Sequence, residues 1–137
     1  MILRRRLAEL QVAVMLLTRL PAGKLGGDVP SMGASAWAWP LAGAIVGAIA
    51  GVTFWLADSV GFSDSISAIL AVTVSILATG CLHEDGLADL ADGFGGGRDV
   101  ARKLDIMRDS RIGSYGVLAL ILALGLRVNA MSELADW

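Results

Sequence analysis

Asp85, Asp89 and Asp92 stand at i, i+4 and i+7 in "LHEDGLADLADG". On a helix turning about 100° per residue they share one face about 60° wide. Like charges one turn apart destabilise a helix by roughly 0.2–0.5 kcal/mol, and beside a membrane their repulsion is poorly screened, so a cation belongs among them. Oxygen-only ligands favour a hard ion, and few ligands from one helix leave coordination positions for water or phosphate, the habit of Mg²⁺ rather than of a caged Ca²⁺. The D-x-D-x-D-G loop of an EF-hand is absent. Glu84 lies about 100° off the acidic face and would contribute at its edge, whereas His83, about 150° from the centre, is expected as a cap or an outer group.

Arg98, Arg102, Lys103, Arg108 and Arg111 follow closely. With a metal they would clamp a diphosphate; the competing role is to form surface salt bridges and hold anionic lipid headgroups. Gly93 and Gly95–Gly97 are expected to end the acidic helix and offer exposed N–H groups to a phosphate. Val100, Leu104 and Met107 recur at helical spacing and predict a short amphipathic helix on the bilayer surface.

The elements that must carry this segment are apolar. The chain has 137 residues, 55% hydrophobic and 18% charged, with mean hydropathy +0.68, whereas soluble domains are about a quarter charged. The composition predicts an all-α polytopic membrane protein in a single domain, with about three to four membrane or interfacial helices and the charged segment 83–113 as a loop carrying the active site. Ala36–Ala57 contains no charge and would be about 33 Å long as a helix, enough to span a bilayer core. Ser65–Leu82 returns as a second span, and a third starts near Ser114 and continues through "RVNAM", with Arg127 snorkelling or facing protein. Leu7–Leu20 reads as an interfacial or packed amphipathic helix.

Of the 11 Lys and Arg residues all but Arg127 lie on Met1–Gly33 and His83–Gly113, so the positive-inside rule assigns the N-terminus and the charged segment to the cytoplasm. A net charge of −2 argues against a nucleic-acid partner. Gly43, Gly47 and Gly51 make a small-residue face suited to close helix approach and to a homo-oligomer. Pro40 predicts a kink inside the first span, and Trp37, Trp39 and Trp55 read as interfacial anchors. Cys81 reads as a small buried thiol. No cleaved leader is expected, because Glu9 and Gln11 interrupt the apolar start.

"LHEDGLADLADGFGGG" followed by "IMRDSRIGSYG", with "LLTRLP" at Leu16–Pro21 and "WPLAG" at Trp39–Gly43, resembles the signature of the cobalamin synthases, the adenosylcobinamide-GDP ribazoletransferases. The resemblance implies a Mg²⁺-dependent enzyme of the inner membrane at a late step of cobalamin assembly. Its substrates would be adenosylcobinamide-GDP and α-ribazole or α-ribazole 5′-phosphate; its products would be adenosylcobalamin or the 5′-phosphate, and GMP. The acidic motif falls on Asp85, Asp89 and Asp92, with Glu84 as the loosest match, and the second block on Asp109, Ser110 and Arg111. The implied metal ligands are Glu84, Asp85, Asp89 and Asp92, the proton acceptor is Asp89 or Asp92, and Arg102, Arg108, Ser110 and Arg111 hold substrate. Members of that family continue with further membrane helices, so the chain is expected to be the N-terminal portion of a longer enzyme.

Two other classes stay open at this point. CDP-alcohol phosphotransferases also hold metals on a DG-containing aspartate set, although "DGLADLADG" has Asp where their pattern has Arg. A cation transporter or channel could use the same carboxylates, but its site belongs near the bilayer midplane rather than after a span.

Overall fold

The computed structural model describes residues 2–134, and every regular element among them is helical. α1 (Ile2–Leu17) leads through a loop to α2 (Met32–Ser35), whose N-cap Ser31 accepts the Ala34 N–H. A 3₁₀ turn at Ala36–Ala38 then enters α3 (Trp39–Ser59). Pro40 therefore lies in the first turn of α3, where its missing N–H has no helical partner to lose. The change of helix type precedes the proline, and the kink expected inside the span is replaced by this junction.

Glu9, which interrupts the apolar pattern of α1, is almost fully buried. Its carboxylate accepts the Trp37 indole N–H at 2.7 Å and is paired by Arg6 at 2.8 Å and Arg5 at 3.2 Å. Trp37 is thus a tether between α1 and the 3₁₀ turn, with Arg6 over its ring. The Trp37 hydrogen bond, and then the two arginines, hold the Glu9 carboxyl below its ordinary 4.5. A lowered carboxyl pKa contributes stability that is complete above about pH 4.5 and fades as pH falls through the folded-state value. Thermal stability should therefore drop on acidification below that point, and Trp37→Phe should flatten the drop.

α3 packs along α4 (Asp64–Thr79). The buried residues at this level are small: Ala42, Ala50 and Ala57 on α3, Ala68 and Ala71 on α4. Around Gly43, Gly47 and Gly51 an added Cβ would meet nothing within 4 Å. Among the described residues the alanines are the buried side of α3, and the glycine face is open. An oligomer through those glycines remains an expectation.

α4 stops at Thr79 because Gly80 turns left-handed (φ +64°), and Cys81 repeats that conformation at φ 64°. The chain bends by 88° into α5 (Leu82–Gly96). Cys81 is exposed, not buried as expected. The end of α1 docks at this corner: Arg19 N–H bonds the Ala78 carbonyl at 2.7 Å, and the Arg19 side chain crosses Gly80 where a Cβ would stand. Gly80→Ala should cost about 1–2 kcal/mol in backbone strain alone, read as a lower midpoint in denaturant titration.

The glycines expected to end the acidic helix are helical through Gly96. Gly93 lies where a Cβ would be 2.6 Å from Met107 Cε, and Gly95 lies against the Tyr115 ring. They make room for α6 (Val100–Met107) and for the start of α7 (Ser114–Glu133) rather than forming a phosphate loop. The acidic segment is accordingly no free loop; α5 packs along both α6 and α7. Val100 and Leu104 of α6 are exposed. Met32–Ser59 and Ser114–Glu133 are each long and apolar enough to cross a membrane, and α4 with α5 form a third, sharply bent candidate.

Candidate active site

A cavity of about 570 Å³ opens between α5 and the segment after α6, floored by Ile76, Leu120 and Leu124. Glu84, Asp85 and Asp89 line one side; Arg108, Ser110 and Arg111 line the other. Asp85 is exposed and Asp89 half-buried, one turn apart on the same helix face. Glu84 and Asp85 on α5 and Arg108 and Arg111 after α6, more than twenty residues apart in sequence, thus share one mouth.

Asp92, the third member of the triplet, is placed differently. It is buried, and its two oxygens accept the Gly113 N–H at 2.6 Å and the Gly116 N–H at 2.8 Å. Gly113 is the N-cap of α7 and offers no side chain of its own, so a carboxylate from α5 satisfies the orphan donors at the positive end of α7. A Cβ at Gly113 would stand 2.5 Å from Oδ1, and one at Gly116 would overlap Oδ2. With both oxygens occupied, Asp92 joins α5 to α7, while Asp85 and Asp89 remain turned to the cavity.

Glu84 is held from the third span. Arg127 donates to Glu84 Oε1 at 2.8 Å and to Ser75 Oγ at 2.9 Å. Arg127 therefore faces protein, and Glu84 keeps one buried oxygen, Oε2, with no hydrogen-bond partner. His83 lies inside the first turn of α5, whose N-cap is Cys81, so it is not a cap. Among the described residues no three His, Cys, Asp or Glu side chains come close enough to hold a metal by themselves.

The substrate-side cations divide. Arg108 and Arg111 border the carboxylate cavity, whereas Arg102 borders a smaller one of about 250 Å³ beside Asp92 and Asp105, with Arg111 lining both. Lys103 stands 4.3 Å over the Phe94 ring. The Arg111 guanidinium grips Asp109 through Nη2 at 2.7 Å and Nε at 3.0 Å. Those side-chain bonds, then the Arg111 backbone N–H, pull the Asp109 carboxyl down to about 2. Since a depressed carboxyl loses its contribution only between the ordinary 3.8 and about 2, the Asp109–Arg111 pair persists at any neutral assay pH. Arg111→Gln should let Asp109 titrate near its ordinary value in a carboxyl ¹³C titration.

A family model described as cobalamin-5-phosphate synthase matches residues 9–137, which takes in the whole of this cavity. The chain belongs to the cobalamin-5-phosphate synthase family. It is similar to proteins named adenosylcobinamide-GDP ribazoletransferase: 48% identical to that of Mesorhizobium japonicum over 97% of this chain and 51% of the relative. The one from Bradyrhizobium diazoefficiens is 46% identical over 98% and 52%, and the one from Xanthobacter autotrophicus 54% identical over 84% and 44%. The chain thus spans about half the length of these curated relatives. No solved structure matches it.

Within this chain, residue pattern alone does not single out Gly113, Gly116 or the Arg127–Glu84 pair. Gly113 and Gly116 flank "SY" at the start of a span, a spacing that fits a helix N-terminus receiving an outside anion. Arg127 had a plainer signal. A cation deep in an apolar run asks for a carboxylate partner, and Glu84 was the acidic residue off the main face.

Proposed function

We propose that this chain carries the site of Mg²⁺-dependent transfer of the adenosylcobinamide-phosphate group from adenosylcobinamide-GDP to α-ribazole or α-ribazole 5′-phosphate, releasing GMP. The observation that carries it is the shared cavity of Asp85 and Asp89 with Arg108, Ser110 and Arg111. Two carboxylates one turn apart fit a Mg²⁺ that completes its octahedron with water and substrate phosphate, and they do not fit an all-protein cage. When bound, that ion supplies neutralisation of the diphosphate.

The chain's own groups do the rest. Arg108 and Arg111 donate to phosphoryl oxygens where negative charge grows, and Ser110 adds a hydroxyl donor. The acceptor hydroxyl oxygen bonds to the phosphorus that bears the cobinamide, the bond from that phosphorus to the bridging oxygen breaks, and GMP leaves with the electron pair. Asp89 would hold the metal through one carboxylate oxygen and take the hydroxyl proton on the other. Glu84 serves at the edge of the ligand set, and Asp92 supports the site by fixing α7. Arg102 assists from the neighbouring cavity.

The cation distribution supports an inner-membrane protein with its N-terminus and the α5–α6 segment on the cytoplasmic side. The name of the relatives supports the donor. The test reads the frame through to its natural stop codon, in membranes with Mg²⁺, offering adenosylcobinamide-GDP or CDP-diacylglycerol with the matching acceptors. GMP release from the first and no CMP from the second is the expected result; CMP release alone would move the chain to the CDP-alcohol class.

A further inference from the structure

Arg19 follows α1 and belongs to no helix, yet its place is fixed twice over. Its N–H bonds the Ala78 carbonyl at 2.7 Å, and its Cγ, Cδ and Nε run past Gly80 in the space a Cβ would take. Thr18 turns the chain just before it: the hydroxyl donates to the Val14 carbonyl at 2.7 Å and accepts the Leu20 N–H at 3.2 Å. Among the described residues Arg5, Arg6, Arg111 and Arg127 each meet a carboxylate within 3.2 Å. Arg19 meets none among them and is exposed. An arginine stem held against the backbone has already lost part of the rotamer freedom that binding would cost. Left without an acid, its guanidinium is preorganised for an anion from outside the chain.

The groove beside it indicates which anion. About 480 Å³ in volume, it is lined by Met15, Leu16, Thr79 and Leu82 and reaches Cys81 and Asp85. Cys81 and Asp85 also line the charged cavity, so Arg19 and Arg108 approach the acidic face from two adjoining grooves. Arg111 is shared with Asp109, which leaves Arg108, among the described residues, as the charged cavity's cation without a carboxylate. In the transfer reading Asp85, Asp89 and a divalent ion cancel, and a diphosphate carries more charge than Arg108 alone offsets.

We propose that Arg19 is a substrate-binding residue, holding one phosphoryl group of the donor diphosphate from the α1–α2 loop while Arg108 and Arg111 hold the other. The proposal rests on the transfer reading and deepens it. It brings into the site a segment outside the charged stretch, and it gives Gly80 a role there: a residue without a Cβ lets the arginine stem cross the corner before α5. A lipid headgroup offers the same phosphate chemistry, and Met15, Leu16 and Leu82 in this groove are exposed. The test separates the two sources.

The full reading frame is placed in phosphatidylcholine nanodiscs with Mg²⁺, and GDP affinity is measured. Arg19→Met keeps a stem over Gly80 and removes the charge, Arg19→Gln removes it with a shorter stem, and Arg19→Lys retains it. The main-chain bond to Ala78 is open to all three, so melting temperatures should stay near that of the wild type. Arg19→Met and Arg19→Gln should each weaken GDP at least about 10-fold, the loss of one charge-assisted phosphate contact, and Arg19→Lys should recover most of it. In the lipid arm, replacing phosphatidylcholine by phosphatidylglycerol should change the stability of wild type and Arg19→Met equally. GDP affinity within about 2-fold of wild type in both neutral variants would overturn the assignment; if Arg19→Met then also lost a stabilisation by phosphatidylglycerol, Arg19 would belong to a headgroup. Arg19-dependent GDP binding without GMP release from adenosylcobinamide-GDP would spare this site and sink the transfer reading. GMP release with GDP affinity indifferent to Arg19 would do the reverse.

Discussion

Asp89→Asn should lower metal-dependent GMP release by a factor on the order of 10²–10⁴, the range expected when a positioned proton acceptor is removed, and should leave the helices assembled. Asp89 is half-buried on the cavity face of α5 and, among the described residues, makes no hydrogen bond to another side chain. Its loss therefore removes charge from the site without removing a structural contact. Asp85→Asn, one turn earlier and more exposed, should act chiefly on the metal: the Mg²⁺ concentration for half-maximal rate should rise at least about 10-fold, equivalent to one lost ligand interaction of about 1.4 kcal/mol. If Asp89→Asn retained more than a tenth of the wild-type rate, the proton-acceptor role would have to move elsewhere.

Asp92 should answer in the opposite way. Asp92→Ala removes two charge-assisted hydrogen bonds, at 2.6 and 2.8 Å, from the first turn of α7. Each is worth about 1.5–3 kcal/mol, and both N–H groups would be left without their partner. A loss of about 3 kcal/mol or more is expected in denaturant titration, with activity falling in step with the folded fraction. Gly116→Ala should reproduce this defect from the other side, because its new methyl would overlap the Asp92 carboxylate and approach the Ala88 carbonyl at 3.0 Å. A stable but inactive Asp92→Asn protein would instead argue that Asp92 takes part in the chemistry.

The contrast between Asp89 and Asp92 shows what residue spacing can and cannot convey. Periodicity places Asp85, Asp89 and Asp92 on one face correctly, since it depends only on helix geometry. It cannot say what covers that face at each level. The first two turns look onto the basic segment and the third onto the start of α7, whose Gly113 and Gly116 N–H groups bond Asp92. The same holds for the glycines. A run such as Gly95–Gly97 reads as a breaker in isolation, but its first two residues stay helical, packed against Tyr115 and Ile106.

Span positions were legible because length and hydropathy decide them, and the chain keeps the expected order of apolar helices and charged segment. Partner choice was not. Gly43, Gly47 and Gly51 advertise a packing face, yet among the described residues the buried positions of α3 are Ala42, Ala50 and Ala57. Glu9, an interruption in the apolar pattern, becomes the buried acceptor for Trp37, a pairing across 28 residues that local pattern does not encode.

The central claim is that the cavity between α5 and Arg108–Arg111 gathers a divalent ion and a diphosphate together. Mn²⁺ in place of Mg²⁺, followed by EPR on the full reading frame in nanodiscs, tests it without turnover. Mn²⁺ should bind weakly alone and at least 10-fold more tightly with GDP present, and Asp85→Asn combined with Asp89→Asn should abolish the enhancement. Mn²⁺ binding that is indifferent to GDP, or undiminished in the double variant, would contradict the claim.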